Sequence, residues 1–247
     1  MRTVRFSADG SVRTGQWTAA GIEYRGRVFD PADLDLLAPV EGSRVVGIGL
    51  NHPGVLDGTD RYDPPSDTSD LLLFCKPTTT LVRDGETATL PSTGDLQYEA
   101  ELGAVIGRQC RDVDAETATD TIAGFTCVND ITAYDVPDME LTGIRAQGID
   151  DSTPVGPVVA SPDDVPADAR IELRVNGEQV RSARRSEYRF GAGEVVAEVT
   201  RYLTLLPGDV VSLGTSDGYE NFDDGDTVAV EIEGIGSLTT EVALGQA

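Results

Sequence analysis

Leu96-Gln97-Tyr98-Glu99-Ala100-Glu101-Leu102-Gly103-Ala104-Val105-Ile106-Gly107 reads as a buried strand with two acids set into it. Side chains alternate between the faces of a strand, so Glu99 and Glu101 share one face while Ala100 and Leu102 turn to the other. A second apolar stretch, Phe125-Thr126-Cys127-Val128-Asn129, runs into Asp130 and can carry a third carboxylate to the same point. Three hard oxygen ligands suit Mg²⁺, Mn²⁺ or Ca²⁺ and leave coordination positions open for substrate or water. Spacing alone does not single this set out. The same acid-x-acid pattern occurs at Asp33/Asp35, Asp84/Glu86, Asp112/Asp114, Asp224/Asp226 and Glu231/Glu233, which read mostly as solvated faces.

Around this stretch the chain is rich in strands. Residues 1 to about 40 read as short β pieces separated by the Asp9-Gly10 and Arg25-Gly26 turn signals, a small N-terminal β subdomain ahead of a main domain over 41–247. Arg44 to Leu50 reads as a buried strand, and Pro53 to Ser69 loses all periodicity and reads as a long loop, either a lid or a disordered segment. Strands resume at Leu71 to Pro77. Ala115 to Ile122 has the composition of a short surface helix, and Asn176-Gly177 after the alternating Ile171 to Val175 is a type I′ hairpin signal. Gly193 to Leu203 is the clearest amphipathic helix, with Val195, Val196, Val199 and Leu203 on one face. The class expected is α+β with strands predominating.

Composition narrows the function. The 247 residues, 39% of them hydrophobic, can bury a real core. Apolar runs as short as Leu71-Leu72-Leu73-Phe74-Cys75 fall far below the roughly 18 residues of a membrane span, and no secretory h-region follows Met1, so a cytoplasmic protein is expected. Cys75, Cys110 and Cys127 are odd in number and widely spaced, and read as buried reduced thiols. The formal charge of −24, from 27 Asp and 16 Glu against 18 Arg and a single Lys, speaks against nucleic acid or anionic membrane as a partner. Acids scattered along the whole chain read as a solvated surface suited to high salt, hence to a halophile.

The ordered segments decide what spacing cannot. Val45-Val46-Gly47-Ile48-Gly49-Leu50-Asn51, Leu73-Phe74-Cys75-Lys76-Pro77, Tyr98-Glu99-Ala100-Glu101-Leu102, Asn129-Asp130-Ile131-Thr132-Ala133, Pro154-Val155-Gly156-Pro157 and Leu206-Pro207-Gly208-Asp209-Val210 follow one another in an order and spacing that resemble the fumarylacetoacetate hydrolase family, from about Leu37 onward. The resemblance implies a mixed β-roll of the type formed by that family's C-terminal domain, a homodimer, and one Mg²⁺ or Mn²⁺ held by Glu99, Glu101 and Asp130. It also implies a small 2-oxo or 1,3-dioxo acid as substrate, with C–C hydrolysis, decarboxylation or enol-keto isomerisation as the chemistry.

The chain departs from the family pattern in places. The lid positions that hold the family's His and Glu acid/base pair are Val55 and Gly58 here. His52, the single histidine, stands three residues earlier and Asp57 lies one residue from the Glu position. A His has an unperturbed pKa near 6.5, so His52 is either a displaced base or a loop residue without a chemical role. In Arg145-Ala146-Gln147-Gly148-Ile149-Asp150 the amide of Gln147 replaces an expected active-site Lys and is read as polarising a bound water, with Asp150 on the substrate side. Tyr134 replaces an Arg, and Arg181, Arg184 and Arg185 add positive charge in another segment. Thr215, in Gly214-Thr215-Ser216-Asp217-Gly218, is expected to grip the substrate carboxylate. Lys76 is read either as a surface residue or as a point charge near the substrate. The expected function is therefore a metal-dependent enzyme on an oxo-acid; the competing reading is a metal-binding relative without catalysis, serving as a metabolite-binding or partner subunit.

Overall fold

The computed structural model describes residues 1–40, 44–56 (55 and 56 by backbone alone), 63–92, 95–137, 140–216, 221 and 223–245. The N-terminal meander comprises β1 (Arg2–Ala8), β2 (Ser11–Thr18), β3 (Gly21–Tyr24), β4 (Arg27–Phe29) and β5 (Asp35–Leu37). There follow β6 (Arg44–Gly49), β7 (Leu72–Pro77), β8 (Leu81–Arg83), β9 (Thr87–Pro91), β10 (Leu96–Gln97) and β11 (Ala100–Ile106). Helix α1 (Ala115–Thr121) leads into β12 (Ile122–Asn129) and β13 (Thr132–Ala133), and α2 (Ile144–Gln147) into β14 (Thr153–Ala160). The hairpin β15 (Arg170–Val175) and β16 (Glu178–Arg184) precedes α3 (Ala192–Tyr202), and β17 (Val210–Thr215), β18 (Thr227–Ile232) and β19 (Gly236–Gly245) complete the described fold.

Two mixed sheets carry the architecture, which is β-rich α+β. The larger runs β4-β3-β2-β1-β14-β12-β11-β17-β6-β7, with β5 on β1 and β8 on β14; the smaller runs β16-β15-β18-β19-β9. Strands β15, β18 and β19 pack against β11, β12 and β14. Leu173, Val230 and Leu238 thereby share one core with Leu102, Ala104 and Cys127. Every residue of β11 is buried, and Gly103 at its centre has no room for a side chain: a Cβ would lie 2.7 Å from Val128 and 2.9 Å from Val210. That close packing lets β12 and β17 flank β11 and bring their ends to one place.

Local chemistry explains other elements of the fold. Asn176 (φ 51) and Gly177 (φ 83) both occupy the left-handed region that a type I′ turn demands. Helix α1 is capped by Asp114, which accepts from Thr117 N, and α3 is opened by Glu194, whose carboxylate takes the Gly191 N–H at 2.8 Å. Val195, Val196 and Val199 of α3 are fully buried, each contributing about 1.5–3 kcal/mol of apolar burial, and Leu203 ends the helix as its extended C-cap.

Three expectations meet a different outcome or no test. Glu99 does not lie within a continuous strand, because the regular pairing stops at Gln97 and restarts at Ala100. Cys75 is exposed, unlike the buried Cys110 and Cys127: β7 ends the sheet path, and its alternation turns Lys76 inward and Cys75 out. Of the expected lid, 53–56 and 68–70 form single 3₁₀ turns, while Asp57 and Gly58 lie outside the described residues. Among the described residues no helix is long and apolar enough to cross a membrane.

Candidate metal centre

The three acids converge through backbone register. Strands β11 and β12 pair antiparallel with Ala100 opposite Asn129, which sets Asp130 beside Glu99. The junction is locked twice: Asp130 N donates to Glu99 O at 2.9 Å, and the Asn129 side chain accepts from Glu99 N at 3.1 Å. This clamp, instead of strand alternation, aims Glu99. Ligand atoms of Glu99, Glu101 and Asp130 lie within 4.8 Å of one another, at exposures of 7%, 1% and 1%.

Each carboxylate has one oxygen tied to a protein donor. Glu99 Oε1 accepts from the Tyr134 hydroxyl at 2.5 Å, and Glu101 Oε2 accepts from Gly214 N at 2.9 Å. Asp130 Oδ1 accepts from Lys76 Nζ. The second oxygen of Asp130 is buried and has no hydrogen-bond partner among the described residues. An orphaned carboxylate oxygen in a dry site is costly unless a cation meets it.

The charge balance points the same way. Among the described residues, three buried carboxylates face one buried cation, Lys76. Burial, reinforced by the Asp130 charge, pushes Glu99 up to about 8, although the Tyr134 hydrogen bond and Lys76 pull it back. Burial and then the charges of Asp130 and Glu99 hold Glu101 well above the usual carboxylate range. The pocket therefore needs protons or added positive charge, and oxygen donors of this kind fit a hard divalent ion.

Other residues singled out in the sequence fall at several depths. Lys76 is fully buried; besides Asp130 it donates to Ile131 O at 2.9 Å and Gln147 Oε1 at 3.3 Å, so protein acceptors occupy all three of its donors. Gln147 Oε1 also takes the Thr132 hydroxyl at 3.3 Å, and its Nε2 donates to Leu141 O at 2.9 Å. Thr215 is half-buried directly across from Glu101. Asp150 is exposed on the turn before β14.

His52 is buried beneath the start of the 53–56 turn. Its Nδ1 accepts from Gly54 N at 3.1 Å, which commits that lone pair, and its Nε2 lies 3.6 Å from a Glu187 oxygen. A base role at Nδ1 therefore requires Gly54 to let go. The arginines of β16 and the turn after it serve other contacts: Arg184 meets Asp168 at 3.3 Å, and Arg185 lies over the Phe125 ring at 4.4 Å while donating to Val165 O.

Sequence reading passed over two further contributors. Tyr134 was legible only as a replaced arginine, not as the donor to Glu99. Tyr188 lies 86 positions from Leu102, whose amide it meets, and nothing local in its sequence marks it.

Fold and site together define a β-rich protein with a buried three-carboxylate centre suited to a divalent cation. The sequence profile of the fumarylacetoacetate (FAA) hydrolase C-terminal domain matches residues 44–243, and the chain belongs to that family. Protein Rv2993c of Mycobacterium tuberculosis is 38% identical over 226 residues, covering 89% of this chain and 82% of the relative. The structure of 5-carboxymethyl-2-hydroxymuconate delta-isomerase from Mycobacterium smegmatis superposes with a TM-score of 0.88 at 32% identity over the whole of both chains. Fumarylpyruvate hydrolase from Pseudomonas aeruginosa, in complex with Mn²⁺ and pyruvate, superposes with a TM-score of 0.74 at 29% identity over 83% of this chain and 91% of that one.

Proposed function

We propose that this protein is a divalent-metal-dependent enzyme acting on a small 2-oxo or 1,3-dioxo acid, working as a cytoplasmic homodimer. The observation that carries the reading is the triad itself: three carboxylates, each with one oxygen fixed by a protein donor, gathered at one point, with the second Asp130 oxygen lacking a hydrogen-bond partner among the described residues. Glu99, Glu101 and Asp130 would hold Mg²⁺ or Mn²⁺. When bound, such an ion supplies positive charge that attracts the oxygens of an α-oxo carboxylate and offsets charge developing on them.

The remaining roles fall to the chain. Thr215, paired with Glu101 across the two strands, would offer its hydroxyl to a substrate carboxylate. Lys76 and Gln147 hold Asp130 and the residues after it in place, since their polar atoms already have protein partners. Isomerisation and decarboxylation ask less of a dedicated base than C–C hydrolysis does. With Val55 and Gly58 at the expected base positions, and with the His52 Nδ1 lone pair engaged, we favour those two reactions.

The same observations support a second reading, a metal-dependent metabolite binder without turnover. Oxaloacetate and acylpyruvates, supplied with Mg²⁺ or Mn²⁺ in molar salt, separate the two. Metal-dependent loss of oxaloacetate or of the acylpyruvate enol, abolished by chelator, is the expected result. No turnover across the panel by protein that still binds Mn²⁺ would establish the second reading instead.

A further inference from the structure

The pairing of β11 with β17 contains a defect at the metal centre. Glu101 pairs with Thr215 and Gly103 with Ser212, so two residues, Leu213 and Gly214, stand opposite Leu102 alone. Such a bulge takes backbone groups out of the ladder, and here a side chain from a distant segment meets them. The Tyr188 hydroxyl donates to Gly214 O at 2.7 Å and accepts from Leu102 N at 3.4 Å. Gly214, freed from regular pairing, points its own N–H at Glu101 Oε2. Its φ of +99, with an added Cβ only 2.8 Å from Ile48 O, admits no other residue without strain.

The phenol is braced from behind. The His52 ring meets Tyr188 edge-on at 6.1 Å and 84°. Asn51 ties the same layer together: its side-chain amide donates to Leu213 O at 2.9 Å and to Phe190 O at 3.2 Å, and its carbonyl accepts from Phe190 N at 3.0 Å. Residues 51–52 and 188–190 thus form a brace that meets the bulge at two points, the Asn51 amide on Leu213 O and the Tyr188 hydroxyl on Gly214 O.

We infer that Tyr188 is a positioning residue of the metal centre, holding the bulge so that Gly214 N fixes Glu101 with one oxygen turned toward the cation. The inference rests on the triad being a metal site. Without the hydroxyl, Gly214 O and Leu102 N lose their shared partner; Asn51 still holds Leu213 O, but the Gly214 half of the bulge, whose N–H orients Glu101, loses its tie. Removing a group that orients a metal ligand typically weakens metal affinity about 10–100-fold.

The test compares Mn²⁺ dissociation constants, measured by calorimetry on chelator-stripped full-length protein, for wild type, Tyr188→Phe and Val196→Ala. The last variant loses core packing in α3, a helix that supplies no residue to the triad or to its brace, and reports what lowered stability alone does. We expect Tyr188→Phe to bind Mn²⁺ about 10–100-fold more weakly, with Val196→Ala binding as wild type despite a lower melting temperature. Wild-type affinity in a folded Tyr188→Phe protein, or an equal weakening in Val196→Ala, would overturn the positioning role while leaving the metal site intact. Absence of Mn²⁺ binding by wild type would overturn both.

Discussion

Asp130→Ala is expected to abolish the rise in melting temperature that Mn²⁺ produces in the wild-type protein, with affinity falling by at least about 100-fold. Residues that merely orient a ligand account for ~10–100-fold, and Asp130 is itself a proposed ligand whose second oxygen has no hydrogen-bond partner among the described residues. The alanine also leaves Lys76 buried without its carboxylate, so part of the loss in the metal-free protein will be structural. Asp130→Asn keeps the shape and a neutral acceptor for Lys76, and it should fold while still binding Mn²⁺ poorly. Glu231→Ala is the matched control. Glu231 belongs to a look-alike Glu-x-Glu pair on β18 and pairs with Arg174 at 3.1 Å, so its removal should leave the Mn²⁺ response unchanged. Equal losses in both variants would contradict the assignment of the triad.

Lys76→Met should destabilise the chelator-treated protein by roughly 3–5 kcal/mol, the usual cost of removing one partner from a buried ion pair. Lys76 is fully buried, and the Asp130 carboxylate would then lose its ion-pair partner beside two further buried acids. Saturating Mn²⁺ should restore much of that loss, because a cation bound to the same acids replaces the missing charge. Urea unfolding of both proteins at pH 8, in EDTA and again in Mn²⁺, measures the effect. A variant as stable as wild type in EDTA would show that Lys76 does not carry the charge balance of the metal-free site.

Local signals in the sequence were sufficient for much of the fold. The Asn176-Gly177 hairpin, the α3 stripe of Val195, Val196 and Val199, and the apolar core of β11 each depend on neighbours within a few residues, and each formed as its pattern implies. Alternation failed at Glu99, where the Asn129 clamp takes over from strand pairing. It was not applied to Cys75, whose exposure follows from β7 ending its sheet path, a matter of topology. Within the site, the acids were legible because the segments around them keep a family order. The groups that hold them were not: Tyr134, Gly214 and Lys76 each reach an acid from 35 to 113 positions away. Lys76 read as available to a substrate because its partners Asp130, Ile131 and Gln147 are more than fifty positions away, and Gln147 because its oxygen is met by Lys76 and Thr132 from other segments.

The pH dependence follows from burial. Glu99 sits up at about 8 in the metal-free fold, above its ordinary range, and Glu101 is raised as well. Stability from these protonated acids is fully present below the ordinary carboxylate pKa and is lost as pH rises toward and through about 8. A bound cation reverses the penalty, so metal-dependent stabilisation should grow over the same window. Ligating carboxylates must give up their protons, and binding near neutrality therefore releases them.

Calorimetric titration of Mn²⁺ into chelator-stripped wild-type protein tests the metal centre most directly, run at pH 7 in two buffers of different ionisation enthalpy and repeated at pH 8.5. The account predicts one saturable site per chain, proton release at pH 7 and tighter binding at pH 8.5. Absence of saturable binding, or binding that releases no proton and does not strengthen with pH, would contradict it.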